Sequence, residues 1–208
     1  MFSSPFGEKE VHLIPTDCDV VVVADLFAED YLGGAELTTR ALIESSPVKI
    51  HKVHSKDVSM QTLESGYNKF WIFTNFSGMD IKLLPTVVAN IKYSVVEYDY
   101  KFCKYRSIEK HLSIENSPCD CHNDMHGKII SAFFHGAQTV FYMSHAQMKR
   151  YHDRFPFLAD ETEGSKQHVL SSCFTDEFFV AIKSLRAKYE NTERKGWLVL
   201  GSTSWIKG

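Results

Sequence analysis

Three of the five cysteines, Cys103, Cys119 and Cys121, fall in one polar stretch that also carries His122 and His126. Thiolate and imidazole are good zinc ligands, and a stretch with little apolar content can be ordered by a metal. The ligand set this suggests is Cys103, Cys119, Cys121 and His122. Against it, C-x-C is less common than the C-x-x-C of zinc fingers and no second matched pair exists, so the same residues also read as reduced thiols packed in a loop.

A second constellation lies in VVVVADLFAEDYLGGAELTTRALIESS, Val20 to Ser46, where an apolar run, a polar loop with a glycine pair and a helix-like segment follow in succession. A strand that feeds a helix through such a loop points the free N–H groups of the helix above the sheet edge, where an anion is stabilised. Gly33 and Gly34 can adopt positive φ and approach a ligand closely, and Glu36 can reach a ligand hydroxyl. The plainer alternative is a tight turn followed by a helix-start acid.

In EYDYKFCKYRS, Glu97 to Ser107, Asp99, Lys101 and Arg106 stand after an expected strand, at the sheet edge where ligands of open α/β folds gather. Asp99 can orient a hydroxyl, and Lys101 or Arg106 can hold an acidic group; loop solvation and local ion pairing explain the same charges. His145, next to Ser144, begins another helix and reads either as part of a cap or as a ligand contact.

These residues need a scaffold. Short runs rich in Val, Ile, Phe and Tyr predict strands near Asp19–Leu26, Val48–His54, Lys69–Thr74, Tyr93–Glu97, Thr139–Met143 and His168–Leu170. Helices are predicted between and after them, near Ala35–Glu44, Met60–Glu64, Ile81–Asn90, Gly127–Gly136, His145–Arg154 and Asp176–Glu190, with Pro85 blurring the third. The alternation implies a Rossmann-like three-layer α/β/α sandwich with a mainly parallel sheet. Lys101–His126 breaks the rhythm and reads as a long functional or partly ordered insertion rather than core.

The chain has 208 residues and a formal charge of -3 without a long basic block, which argues against nucleic acid as a partner. Its apolar runs are far shorter than the ~20 residues of a membrane span, and its N-terminus lacks a signal-peptide pattern. A cytoplasmic protein with reduced thiols is the expectation.

The strand, polar loop and GGAE at Gly33–Glu36 resemble the opening of family 4-like retaining glycosyltransferases of the GT-B fold. VLSSCFTDEFF, Val169 to Phe179, resembles the strand, turn and D-x-x-x-F segment that closes their N-terminal domain, and GWLVLGSTSWIKG, Gly196 to Gly208, resembles the start of their second domain. Two departures stand out: SCFT replaces the asparagine-glycine usual before the aspartate, and Lys101–His126 has no generic counterpart.

The resemblance implies an N-terminal, acceptor-side domain over 1–195 and the beginning of a truncated C-terminal domain over 196–208. It also implies a nucleotide-sugar donor whose diphosphate or sugar lies against Gly33, Gly34 and Glu36. A sugar, lipid or small-molecule acceptor would lie near Asp99, Lys101, Arg106 and His145. Because such enzymes grip the donor mostly with their second domain, the chain alone is expected to be inactive. The rival expectations are a non-catalytic binding or interaction module, which self-association would favour, and a metal-ordered domain. A nicotinamide-dependent reductase ranks last, since G-x-G-x-x-G is absent.

Overall fold

The computed structural model describes residues 11–159, 166–193 and 195–196. Six strands, β1 (Val20–Ala24), β2 (Ile50–His54), β3 (Phe70–Phe73), β4 (Lys92–Glu97), β5 (Thr139–Tyr142) and β6 (Gln167–Val169), form one sheet. Their order is β2-β1-β3-β4-β5-β6 and every pairing is parallel. The helices are α1 (Gly34–Glu44), α2 (Met60–Ser65), α3 (Leu84–Asn90), α4 (Ile108–Glu115), α5 (Met125–Gly136), α6 (His145–His152) and α7 (Asp176–Lys188).

Because the pleat alternates, a strand buried on both faces needs an uninterrupted apolar run, and VVVVA provides it. Val21 and Val23 enter the larger core cluster, whereas Val22 and Ala24 enter a smaller one on the other face with Phe27, against Ile43 of α1. The larger cluster is aromatic: the Tyr93 and Phe133 rings stack at 4.6 Å, and the Tyr93 hydroxyl donates to the Phe133 carbonyl at 2.5 Å. The result is the Rossmann-like α/β/α sandwich that the alternation implied. Among the described residues, no helix is long and apolar enough to cross a membrane.

Two local expectations require correction. The segment predicted as one helix over Ile81–Asn90 is a 3-10 turn, Ile81–Leu83, followed by α3, because Pro85 is accommodated only in a first turn. Lys101–His126 is not a partly ordered insertion outside the core: it folds as α4 and a 3-10 turn at Cys121–Asn123, with Phe102, Cys103, His111, Cys119 and Cys121 all buried. Of the segment 196–208, expected to begin a second domain, residues 197–208 lie outside the described residues.

Candidate functional site at the carboxyl edge of the sheet

β1 is flanked by β2 on one side and β3 on the other, so the connections leaving these strands diverge and open a crevice at their carboxyl ends. Asp25, the first residue beyond β1, sits in that crevice. One of its carboxylate oxygens accepts from the Ser55 hydroxyl at 2.5 Å and the Gly78 amide at 3.1 Å. The other accepts from the Ser77 hydroxyl at 2.5 Å and from Arg106 at 3.0 Å. Burial alone would raise the pKa of Asp25, but these four donors more than offset it and hold the carboxyl below its ordinary value.

The Arg106 guanidinium spans the crevice. Besides Asp25 it binds the Asn75 side-chain oxygen at 2.7 Å and the Asp99 carboxylate at 2.5 Å, joining the exits of β1, β3 and β4. Its Nε is buried without a hydrogen-bond partner, and its backbone is left-handed at φ 55°, a conformation that costs a non-glycine residue on the order of 1 kcal/mol.

Beneath this network, the wholly buried Glu97 carboxylate meets the Lys101 ammonium at 2.8 Å and accepts from the Tyr151 hydroxyl at 2.9 Å. Burial, opposed by Lys101, pushes the Glu97 carboxyl from its ordinary 4.5 up to about 7. The folded chain therefore holds this proton more tightly than the unfolded chain, and the associated stability is lost as pH rises from about 4.5 through about 7. Urea denaturation across that window should show wild type losing stability relative to Glu97→Gln, whose amide does not titrate. A difference that is constant with pH would contradict this assignment.

Beside Arg106 opens a cavity of about 320 Å³, with Phe76, Met79, Ile81, Leu84 and Ile130 on its apolar side and Lys101, Lys104, Arg106 and His126 on its polar side. A cationic rim above an apolar floor suits a compact ligand with an anionic or hydroxyl-rich face and an apolar one.

Asp99, Lys101 and Arg106, expected at the sheet edge, are thus brought together, but as partners of one another. Lys101 is 4% exposed at its side chain, so it acts chiefly as the counter-charge of Glu97. Asp99 also approaches Lys101 at 3.5 Å, and its backbone carbonyl accepts from Gln147 at 2.8 Å. His145 is separate and exposed in the first turn of α6, whose cap is the Ser144 hydroxyl accepting from the Gln147 amide at 3.1 Å.

Gly33 and Gly34 lie where expected, at the start of α1, but not with positive φ: Gly33 is extended at φ -99°, ψ 170°. Its missing side chain instead makes room for the Glu36 carboxylate and the Tyr31 ring, both of which a Cβ would meet. α1 has no side-chain cap, so no side chain of its N-cap residue covers its first amides.

The thiols form a second centre against the cavity wall. Ligand atoms of Cys103, His111, Cys119 and Cys121 all lie within 4.8 Å of one another, and all four residues are buried. His111 Nδ1 is 3.4 Å from the Cys121 sulfur and 3.8 Å from that of Cys103. A tetrahedral ion with bonds of about 2.3 Å to sulfur and 2.0–2.1 Å to nitrogen sets S···N edges of about 3.6 Å, so the donors are already near the spacing a metal imposes. Burial first, then neighbouring thiols, pushes the Cys119 thiol up to about 12; a bound cation reverses that preference, since it coordinates the thiolate. This Cys3His set can hold a metal.

The fourth ligand differs from the one the sequence suggested. His122 turns away, its ring edge-on to Phe155 at 6.1 Å and its Nδ1 buried without a partner. Successive side chains of a 3-10 turn diverge by roughly 120°, so Cys121 and His122 cannot both face one ion easily. His126 is also outside the set: its Nε2 donates to the Lys101 carbonyl at 2.8 Å. The first turn of α5 lies so close to the cluster that a Cβ on Gly127 would collide with the Cys121 carbonyl oxygen and stand 2.7 Å from the His122 Cα. Gly127→Ala is expected to destabilise the chain by about 1–3 kcal/mol and to weaken metal binding, read by urea denaturation and chelator competition. Unchanged values in both would show that the backbone yields freely.

Comparison with protein-family models, curated proteins and solved structures finds no match to this chain. The functional reading therefore rests on the residues themselves. Asp25, Asn75 and His111 are the ones sequence reasoning missed. For Asp25 and Asn75 a signal existed, since Asp25 lies in the last residues of one predicted apolar strand and Asn75 directly follows another. His111 had none, because it meets the thiols only through the packing of α4.

Proposed function

We propose that this chain is the acceptor-side domain of a two-domain, nucleotide-sugar-dependent glycosyltransferase of the GT-B kind, transferring a hexose with retention when joined to a donor-binding domain. The observation that carries this reading is the placement of a ligand-sized cavity and the Asp25–Arg106 crevice at the same sheet edge where α1 begins without a side-chain cap. The first amides of α1 favour the donor diphosphate, and Glu36 lies in the same turn to accept from a sugar hydroxyl. The acceptor occupies the cavity, with its polar face toward Lys104, Arg106 and His126. Asp99, ion-paired with Arg106, orients groups and is not needed as a base. The GGAE and TDEFF resemblances support the same assignment. So does α7, whose Phe178, Ile182 and Leu185, with Tyr189 at its C-cap, are exposed at helical spacing, as on a helix that packs against a further domain.

For the Cys3His set we infer zinc in a structural role, since four protein donors leave no open position for substrate. Sequencing the coding DNA past codon 208 tests the main reading. A reading frame that continues into a second Rossmann-like domain, whose product transfers hexose from a nucleotide sugar with retained anomeric configuration, is the expected result. A stop codon with no such domain encoded nearby would overturn it in favour of a non-catalytic binding module.

A further inference from the structure

The metal centre and the cavity share a wall. Cys103 lines the cavity and contributes a sulfur to the cluster, and it lies in a tight turn between Lys101 and Arg106. That turn is closed by three backbone bonds: the Cys103 amide to the Tyr100 carbonyl at 2.8 Å, the Arg106 amide to the Cys103 carbonyl at 2.8 Å, and the Tyr100 amide to the Arg106 carbonyl at 3.3 Å. On the other side of Arg106, the Ser107 hydroxyl caps α4 and the Ser107 carbonyl accepts from the His111 amide at 3.0 Å and from the Cys103 thiol at 3.4 Å. Arg106, left-handed at φ 55°, is therefore bracketed by two candidate metal ligands, three residues before it and five after it.

A left-handed arginine persists only where its surroundings over-determine it. Here the guanidinium is held from one side by Asp25, Asn75 and Asp99, and the backbone is held from the other by the carbonyl of the cluster residue Cys103 and the Tyr100 amide. We propose that zinc bound by Cys103, His111, Cys119 and Cys121 locks the Cys103–His111 segment and so fixes Arg106 across the crevice, coupling metal occupancy to the cationic wall of the cavity. The proposal rests on the zinc reading of the cluster. It adds that the ion acts on the ligand-binding edge as well as on local stability. Coupling is reciprocal, so loosening the guanidinium at its far end must weaken zinc.

Two measurements on the full chain, purified without a histidine tag, test this. In the first, zinc is counted and then removed by a chelator under reducing conditions, and amide hydrogen exchange is followed. About one equivalent of zinc is expected, with exchange over Lys101–Ser107 rising about tenfold or more on its removal, while β1 and β3 stay protected. Zinc added back should restore protection. In the second, zinc affinity is compared by chelator competition in wild type and Asn75→Ala, which needs no stripped protein and alters no ligand. Affinity about fivefold weaker in the variant is the expected result.

Stoichiometric zinc with an unchanged affinity in Asn75→Ala would overturn the coupling and leave the zinc reading standing, as would unaltered exchange over Lys101–Ser107. Less than about a tenth of an equivalent of zinc would overturn both. If removal unfolds the whole chain, the Asn75→Ala comparison alone decides.

Discussion

Cys121→Ser is expected to abolish stoichiometric zinc binding and to lower the melting temperature by roughly 10 °C, equivalent to about 3 kcal/mol for a chain of this size. A serine hydroxyl at neutral pH is a poor zinc ligand, and the three remaining donors would enclose an open position in a buried site. The damage should not stay local. Cys121 begins the 3-10 turn that lies beneath α5, and α5 carries Ile130, Phe133 and Phe134 into the main core. Thermal denaturation followed by circular dichroism, with zinc content measured on the same preparation, checks the result. Cys173→Ser serves as the control, because Cys173 is only half-buried and stands apart from the cluster. A Cys121→Ser protein that keeps both its zinc and its melting temperature would mean that the cluster is a group of packed thiols.

Arg106→Ala should cost about 3 kcal/mol, the scale on which removing one partner of a largely buried ion pair exceeds removing an exposed one. The substitution relieves the left-handed strain only slightly, since alanine also disfavours positive φ, and it strips a donor from Asp25 and the principal counter-charge from Asp99. Arg106→Lys should recover little of the loss, because a single ammonium cannot bridge Asp25, Asn75 and Asp99 at once.

The pH dependence has a definite sign. Asp25 is held below its ordinary value of 3.8, so its contribution to stability is present above that pH and is lost as pH falls through the depressed value. The gap between wild type and Arg106→Ala in urea should therefore be widest near neutrality and narrow in acid. A gap below about 0.5 kcal/mol near neutrality would place Arg106 among surface ion pairs that contribute little.

What could be read from the sequence and what could not separate along a physical line. Apolar runs report burial on both faces of a parallel strand, and the six predicted strands overlap β1 to β6. Helix α4 gave no such signal: His111 is its only buried residue, Leu112 and Ile114 are exposed, and of its large apolar residues only Ile108 packs against the core. Its burial is driven by a polar centre, which hydrophobic periodicity does not register.

The sites divide in the same way. Three of the four metal donors could be named from the sequence because cysteines are scarce and these cluster. The fourth could not, since adjacency favoured His122 while the pitch of the 3-10 turn sends that ring to Phe155 and the packing of α4 brings in His111. Asp99, Lys101 and Arg106 were legible as charges after a strand. Their pairing was not, because the groups that fix them, Asp25, Asn75 and Tyr151, come from distant parts of the chain and meet only at the carboxyl edge of the sheet. The sequence by itself determined the strands, the parallel layered fold and the residue types available for chemistry. Only the tertiary structure decided which of those residues face one another, because hydrogen-bond and ligand geometry depend on distances that strand order and helix packing set.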